Sequence, residues 1–85
     1  MKTLIWEIFM ADDFSFEIVE KCGVVSESKG GWTLELNRVS WSGREAKYDL
    51  RSWSPDHKKM GKGVTLSAQE LAKLGEMLSQ MQIHE

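Results

Sequence analysis

The stretch Ser67-Ala68-Gln69-Glu70 constrains this chain more than any other. It is the S-x-x-E capping box, in which the serine hydroxyl and the glutamate carboxylate each satisfy an orphan backbone donor at a helix start. Behind it, Leu71, Leu74, Leu78 and Met81 recur at three- and four-residue spacing and form one apolar stripe, widened or flanked by Ala72, Gly75 and Met77. The spacing predicts a helix from about Ala68 to about Gln82. Gly75 is disfavoured in a helix interior by roughly 1 kcal/mol relative to alanine. Two readings of it stay open: a close approach by another backbone, or a tolerated surface glycine.

Upstream the period changes to two. Phe14, Phe16 and Ile18 alternate with Ser15, Glu17 and Val19, which reads as a half-buried strand continuing through Val24 and Val25 after a break at Cys22-Gly23. Ser28-Lys29-Gly30-Gly31 signals a turn. Trp32, Leu34 and Leu36 then share one face, whereas Val39 and Trp41 have the opposite parity. Either this strand bulges near Asn37-Arg38, or Trp41 points away from the core. A hairpin turn over Ser42 to Glu45 leads to a third strand, with Ala46, Tyr48 and Leu50 on one face and Lys47, Asp49, Arg51 and Trp53 on the other. Pro55 and the glycines predict a loop over 54–63, followed by a short strand Val64-Thr65-Leu66. The order strand, strand, strand, strand, helix is an α+β pattern, one helix covering one face of a small antiparallel sheet. A helix this apolar also suits pairing with a second copy.

At 85 residues the chain is one small domain, of a size often stabilised by a disulfide, a metal or oligomerisation. Cys22 is the only cysteine, which removes an internal disulfide and fits a reducing, cytoplasmic location. His57 and His84 lie far apart with no second cysteine at ligand spacing, so neither metal nor cofactor is expected. Oligomerisation is the supplement left open. No apolar run approaches the roughly 20 residues of a membrane span. The start, MKTLIWEIFMA, is broken by Glu7 and does not suit a signal peptide. Met10 opens MADDFSF, a plausible alternative start, so residues 1–13 read as an N-terminal extension, 14–82 as the domain and 83–85 as a tail.

The net charge of −2 conceals a pattern. Residues 1–20 sum to −4, residues 21–66 to +4 and residues 67–85 to −2. A basic centre between acidic ends matters for a polyanionic partner because binding answers to the local field.

Catalysis finds little support. Gly61-Lys62-Gly63 is not a phosphate loop, which needs G-x-x-x-x-G-K-[ST], because residue 56 is Asp and residue 63 is Gly. No G-x-S-x-G elbow occurs. Asp56-His57 are neighbours in a loop, and Cys22 has no base beside it in sequence. No catalytic residue is expected. Other features converge on single-stranded nucleic acid. Aromatics at strand ends stack on bases whatever the sequence, Arg and Lys on the same face track phosphates, and a glycine-flanked lysine lets backbone amides approach a phosphate. The helix carries only Lys73 beside Glu70 and Glu76, which disfavours major-groove insertion. The signature of an RNA-recognition motif is missing.

The run YDLRSWSPDHKKMGKGVTLSAQELAKL, with the upstream WTLELNRVSW, resembles the positive cofactor four (transcriptional coactivator) family, and most closely its bacterial, YdbC-like branch. The resemblance covers about residues 14–82. It implies a four-stranded, curved antiparallel sheet with a C-terminal helix, a homodimer with helices at the interface through Leu71, Leu74, Gly75, Leu78 and Met81, and single-stranded DNA across the concave sheet faces. Arg51 and Trp53 match the family's arginine and tryptophan at the end of the third strand. Trp41 matches an aromatic before the second hairpin turn, and Lys62 the basic position before the glycine of the fourth strand. Lys58 and Lys59 lie in the matching loop. Arg38, Arg44 and Lys47 follow from strand parity and turn position. The chain lacks the long Ser/Lys-rich N-terminal segment of eukaryotic members, which removes the ground for phosphorylation control. The expected function is sequence-tolerant single-stranded DNA binding in transcription or DNA maintenance. The alternatives are a single-stranded RNA binder and a protein-interaction adaptor for transcription or recombination machinery.

Overall fold

A computed structural model describes residues 15–84. The extension read at 1–13, Phe14 and the final residue of the tail lie outside the described residues. The chain runs β1 (Phe16–Glu27), β2 (Thr33–Trp41), β3 (Lys47–Trp53), β4 (Met60–Leu66) and α1 (Ala68–Gln80). The strands form one antiparallel sheet in the order β1-β2-β3-β4. This is the α+β order that the sequence pattern predicts.

Directly opposed residues of an antiparallel ladder share a face. The β2–β3 register is unbroken from Thr33↔Trp53 to Val39↔Lys47, so no bulge interrupts Asn37-Arg38. Trp41 therefore follows Val39 onto the face of Asp49, Arg51 and Trp53, away from Leu34, Leu36 and Leu50. Of the two readings of its parity, the second is the one the fold adopts. The irregularity lies in β1 instead, with register shifts between Ile18 and Glu20, Lys21 and Gly23, and Val24 and Ser26. The strand bends through these bulges and continues to Glu27 rather than breaking at Cys22-Gly23.

The fourth strand starts earlier than expected. It begins at Met60, so the loop is confined to residues 54–59. Gly63 gives the reason: it sits opposite Arg51, and a Cβ there would lie 2.5 Å from the Leu50 carbonyl oxygen and 2.6 Å from Arg51 Cβ. The glycine is what lets β4 close onto β3. Within the loop, the Ser54 amide donates to Lys59 O at 3.0 Å and the His57 amide to Ser54 O at 2.9 Å. The Asp56 carboxylate accepts from Ser54 Oγ at 2.7 Å and from the Lys58 amide at 3.0 Å.

The capping box forms as the sequence predicts. Ser67 Oγ accepts from the Glu70 amide at 3.1 Å, and Glu70 Oε1 accepts from the Ser67 amide at 2.8 Å. The helix stops at Gln80, two residues short of the predicted end, where Met81 turns extended and its amide donates to Leu78 O. Ser67 and Ala68 share a cleft with Arg38 and Tyr48, which places the helix start on the leucine face of the sheet. No helix residue is buried; Leu74, Leu78 and Met81 remain 38%, 47% and 56% exposed. The most completely buried residues lie on the other face: Val39, Trp53, Asn37, Asp49 and Glu35.

Candidate nucleic-acid interface

Trp53 pairs with Thr33, and Phe16 pairs with Trp41, at opposite ends of β2. On a flat sheet those ends lie about 26 Å apart. The Phe16 and Trp53 ring centroids are nevertheless 5.2 Å apart. Arg51, opposite Glu35, brings Cζ to 5.1 Å from the centre of the Trp41 ring. The sheet therefore curls over on this face, and the face is concave. Curvature gathers side chains that register alone would keep apart.

Two polar networks brace the concavity. Asp49 is fully buried and accepts from Arg51 Nε at 2.9 Å and Nη2 at 3.0 Å, and from Thr65 Oγ1 at 3.1 Å. Arg51 Nη1 donates to Gly61 O at 3.0 Å. This fork-to-fork pairing fixes the guanidinium plane under Trp41. The second network centres on Glu35, whose carboxylate accepts from Thr33 Oγ1, from Asn37 Nδ2 at 3.1 Å, and meets His57 Nε2 at 2.7 Å. Burial pushes the Glu35 carboxyl up; the hydrogen bonds from Thr33, Asn37 and His57, with the charge of His57, outweigh it and hold the group below its ordinary 4.5. His57 adopts a positive φ of 59°, which turns its ring onto the Trp53 indole at 5.7 Å and 24°.

A cleft of about 310 Å³ opens between Trp41, Ser42, Arg44, Arg51, Met60 and Thr65. Arg44 reaches it through a tight turn: its amide donates to Trp41 O at 3.0 Å. Ser42 and Gly43 both have positive φ there, 54° and 75°, as in type I′ turns. A second cleft of about 300 Å³ is lined by Lys21, Cys22, Gly23, Val24, Glu35, Asn37 and His57. The first joins an aromatic ring to two guanidinium groups and suits a ligand with a flat apolar part and an anionic part.

The structure brings Trp41, Arg44 and Arg51 together. Lys47 shares the concave face by its pairing with Val39 and is exposed. Lys58 and Lys59 stand exposed on the 54–59 loop. Lys62 lies in the irregular stretch opposite Ser52, not beside Arg51. Arg38 is on the leucine face, opposite Tyr48; its guanidinium lies 6.0 Å from that ring and pairs with Glu20 at 3.2 Å, so it stands away from the cleft. Trp53 has the expected parity but is fully buried, not open to a ligand. A Cβ at Gly75 would meet nothing within 4 Å among the described residues beyond its own helix, so no other described segment approaches it closely.

Sequence reasoning missed Phe16, Met60, Thr65 and the carboxylates that fix the site. The i, i+2 alternation of Asp49 with Arg51 and of Thr33, Glu35 and Asn37 is the signal that could have found the two networks, since it places each set on one strand face.

Residues 28–77 match the family described as Transcriptional Coactivator p15 (PC4). A protein of Treponema pallidum (strain Nichols), described as uncharacterized, is 50% identical over 72 residues, spanning 85% of this chain and 85% of its own.

Proposed function

This chain belongs to the Transcriptional Coactivator p15 (PC4) family, and we propose that it binds single-stranded DNA with little sequence preference across its concave sheet face. The observation that carries this reading is the convergence of Trp41, Arg44 and Arg51 on one cleft. A base stacks on Trp41, an interaction indifferent to base identity because every base has a π-face. Arg44 and the open part of the Arg51 guanidinium meet the flanking phosphates, and Lys47, Lys58 and Lys59 extend the positive field along the face and its loop. Asp49 holds Arg51 in place before the ligand arrives, so little side-chain freedom is lost on binding.

The apolar stripe of α1 gives the second half of the proposal. Leu71, Leu74 and Leu78 run along the helix and Met81 follows its end, and the last three stay exposed in the single chain. A second copy packing helix against helix, with Gly75 at the contact, covers them and yields a homodimer with two concave faces.

Titration with oligo-dT over a range of salt concentrations tests the DNA reading. Log K falls linearly with log salt, with a slope of about −0.7 for each phosphate contacted. Absence of oligo-dT affinity at low salt sinks the proposal, and a parallel titration with oligo-U separates DNA from RNA.

A further inference from the structure

Trp53 is sealed on both sides. Phe16 leans on it at 5.2 Å and 48°, and His57 stacks on it at 5.7 Å and 24°. Phe16 also lies 6.0 Å from Trp41. The result is an aromatic row, Trp41, Phe16, Trp53 and His57, joining the two clefts of the concave face. Trp41 lines the first cleft and His57 the second. The phenyl ring stands between the two indoles. Among the described residues the buried Trp53 Nε1–H finds no hydrogen-bond partner, a condition that native interiors seldom leave uncorrected.

The two seals are held differently. His57 is pinned by Glu35 at 2.7 Å and by its own amide to Ser54 O at 2.9 Å. Its loop is braced further by the Lys59 amide donating to Ser54 Oγ at 3.0 Å. Phe16 is the first residue of β1, an edge strand. Beyond its pairing with Trp41, the end is held by the Ser42 amide donating to Ser15 O at 2.8 Å. The first register shift comes immediately after Ile18. Unzipping only Phe16 to Ile18 withdraws the phenyl ring and leaves the β2–β3–β4 ladder whole.

We propose that the space between Trp41 and Trp53 is a nucleobase subsite, which Phe16 fills in the free protein and a base takes over in the complex. The inference rests on the single-stranded DNA reading above. A phenyl ring imitates the flat apolar face of a base. A nucleobase has a flat π-face of its own and can stack where phenyl stood. Phe16 thus acts as an internal competitor, and the apparent affinity is lowered by the fraction of molecules in which it still occupies the subsite.

The test uses the full chain with oligo-dT at low salt. In the wild type, the Phe16–Trp53 proton cross-relaxation disappears and the Trp53 indole N–H resonance shifts as the oligomer saturates. Phe16→Ala binds oligo-dT roughly threefold to tenfold more tightly, because the subsite is vacated in advance. Weaker or unchanged binding by that variant overturns the proposal and makes Phe16 a contact or a bystander. Should the variant not fold, cross-relaxation that persists at saturation in the wild type overturns it equally. If the wild type binds oligo-dT while Phe16 stays in place, only the subsite falls. If the wild type does not bind at all, the DNA reading falls and takes the subsite with it.

Discussion

Trp41 and Arg51 line one cleft. Arg51 is held there by Asp49 and Gly61, and Trp41 is half-buried. Replacing Trp41 with Ala should cost about 1–3 kcal/mol of oligo-dT binding while far-ultraviolet circular dichroism stays unchanged; an unaltered affinity would show that the indole serves packing alone. Glu35 makes a different prediction. Its carboxyl titrates below 4.5 in the folded chain, so at intermediate pH the unfolded chain binds more protons and stability rises with pH. The stabilisation is complete well above 4.5 and is lost as pH falls through the depressed folded value. Urea unfolding of the wild type should therefore weaken across that acid range, and Glu35→Gln should flatten the profile; parallel profiles would refute the linkage. Strand parity made Arg51 legible in the sequence; for Trp41 it left two readings open, and the family resemblance singled the residue out. Parity could not show that Trp53 is covered, because the ring that covers it comes from a distant strand carried over by curvature.

Among the elements, β4 is the one that local reading placed too late. Gly61 and Gly63 looked like breakers because glycine weakens strands on average. Here Gly63 serves the strand, since a side chain at that position collides with the Leu50 carbonyl. Gly63→Ala should destabilise the fold by about 1–3 kcal/mol, measured by thermal or urea unfolding. A neutral substitution would mean that β4 can step away from β3 at no cost. The helix, by contrast, was legible almost to its end. Its signals are local: a reciprocal cap between Ser67 and Glu70 and a stripe at helical spacing. The register shifts of β1 left no such mark, because a bulge depends on what lies opposite.

The single chain is unusual in where it is dry. Its concave face buries Glu35, Asn37 and Asp49, while leucines and methionines of the helix stay in contact with water. In the proposed homodimer a second copy covers that apolar stripe, so sedimentation of the wild type should give twice the chain mass. Leu74→Glu combined with Leu78→Glu should give a monomer. A monomeric wild type at micromolar concentration would reject the helix-paired assembly. Composition and the apolar stripe pointed toward self-association; the sequence could not show how much of that stripe the sheet itself would cover. One consequence of the bulged first strand belongs to this scale. β1 is twelve residues long, lies at the sheet edge among the described residues and exposes Val19, Val24 and Val25, the kind of edge on which fibrils grow. A further strand added there must reproduce three register shifts within that length to keep its ladder. The same irregularity that bends the sheet thus obstructs runaway polymerisation, and leaves the helix as the surface for the proposed pairing of two copies.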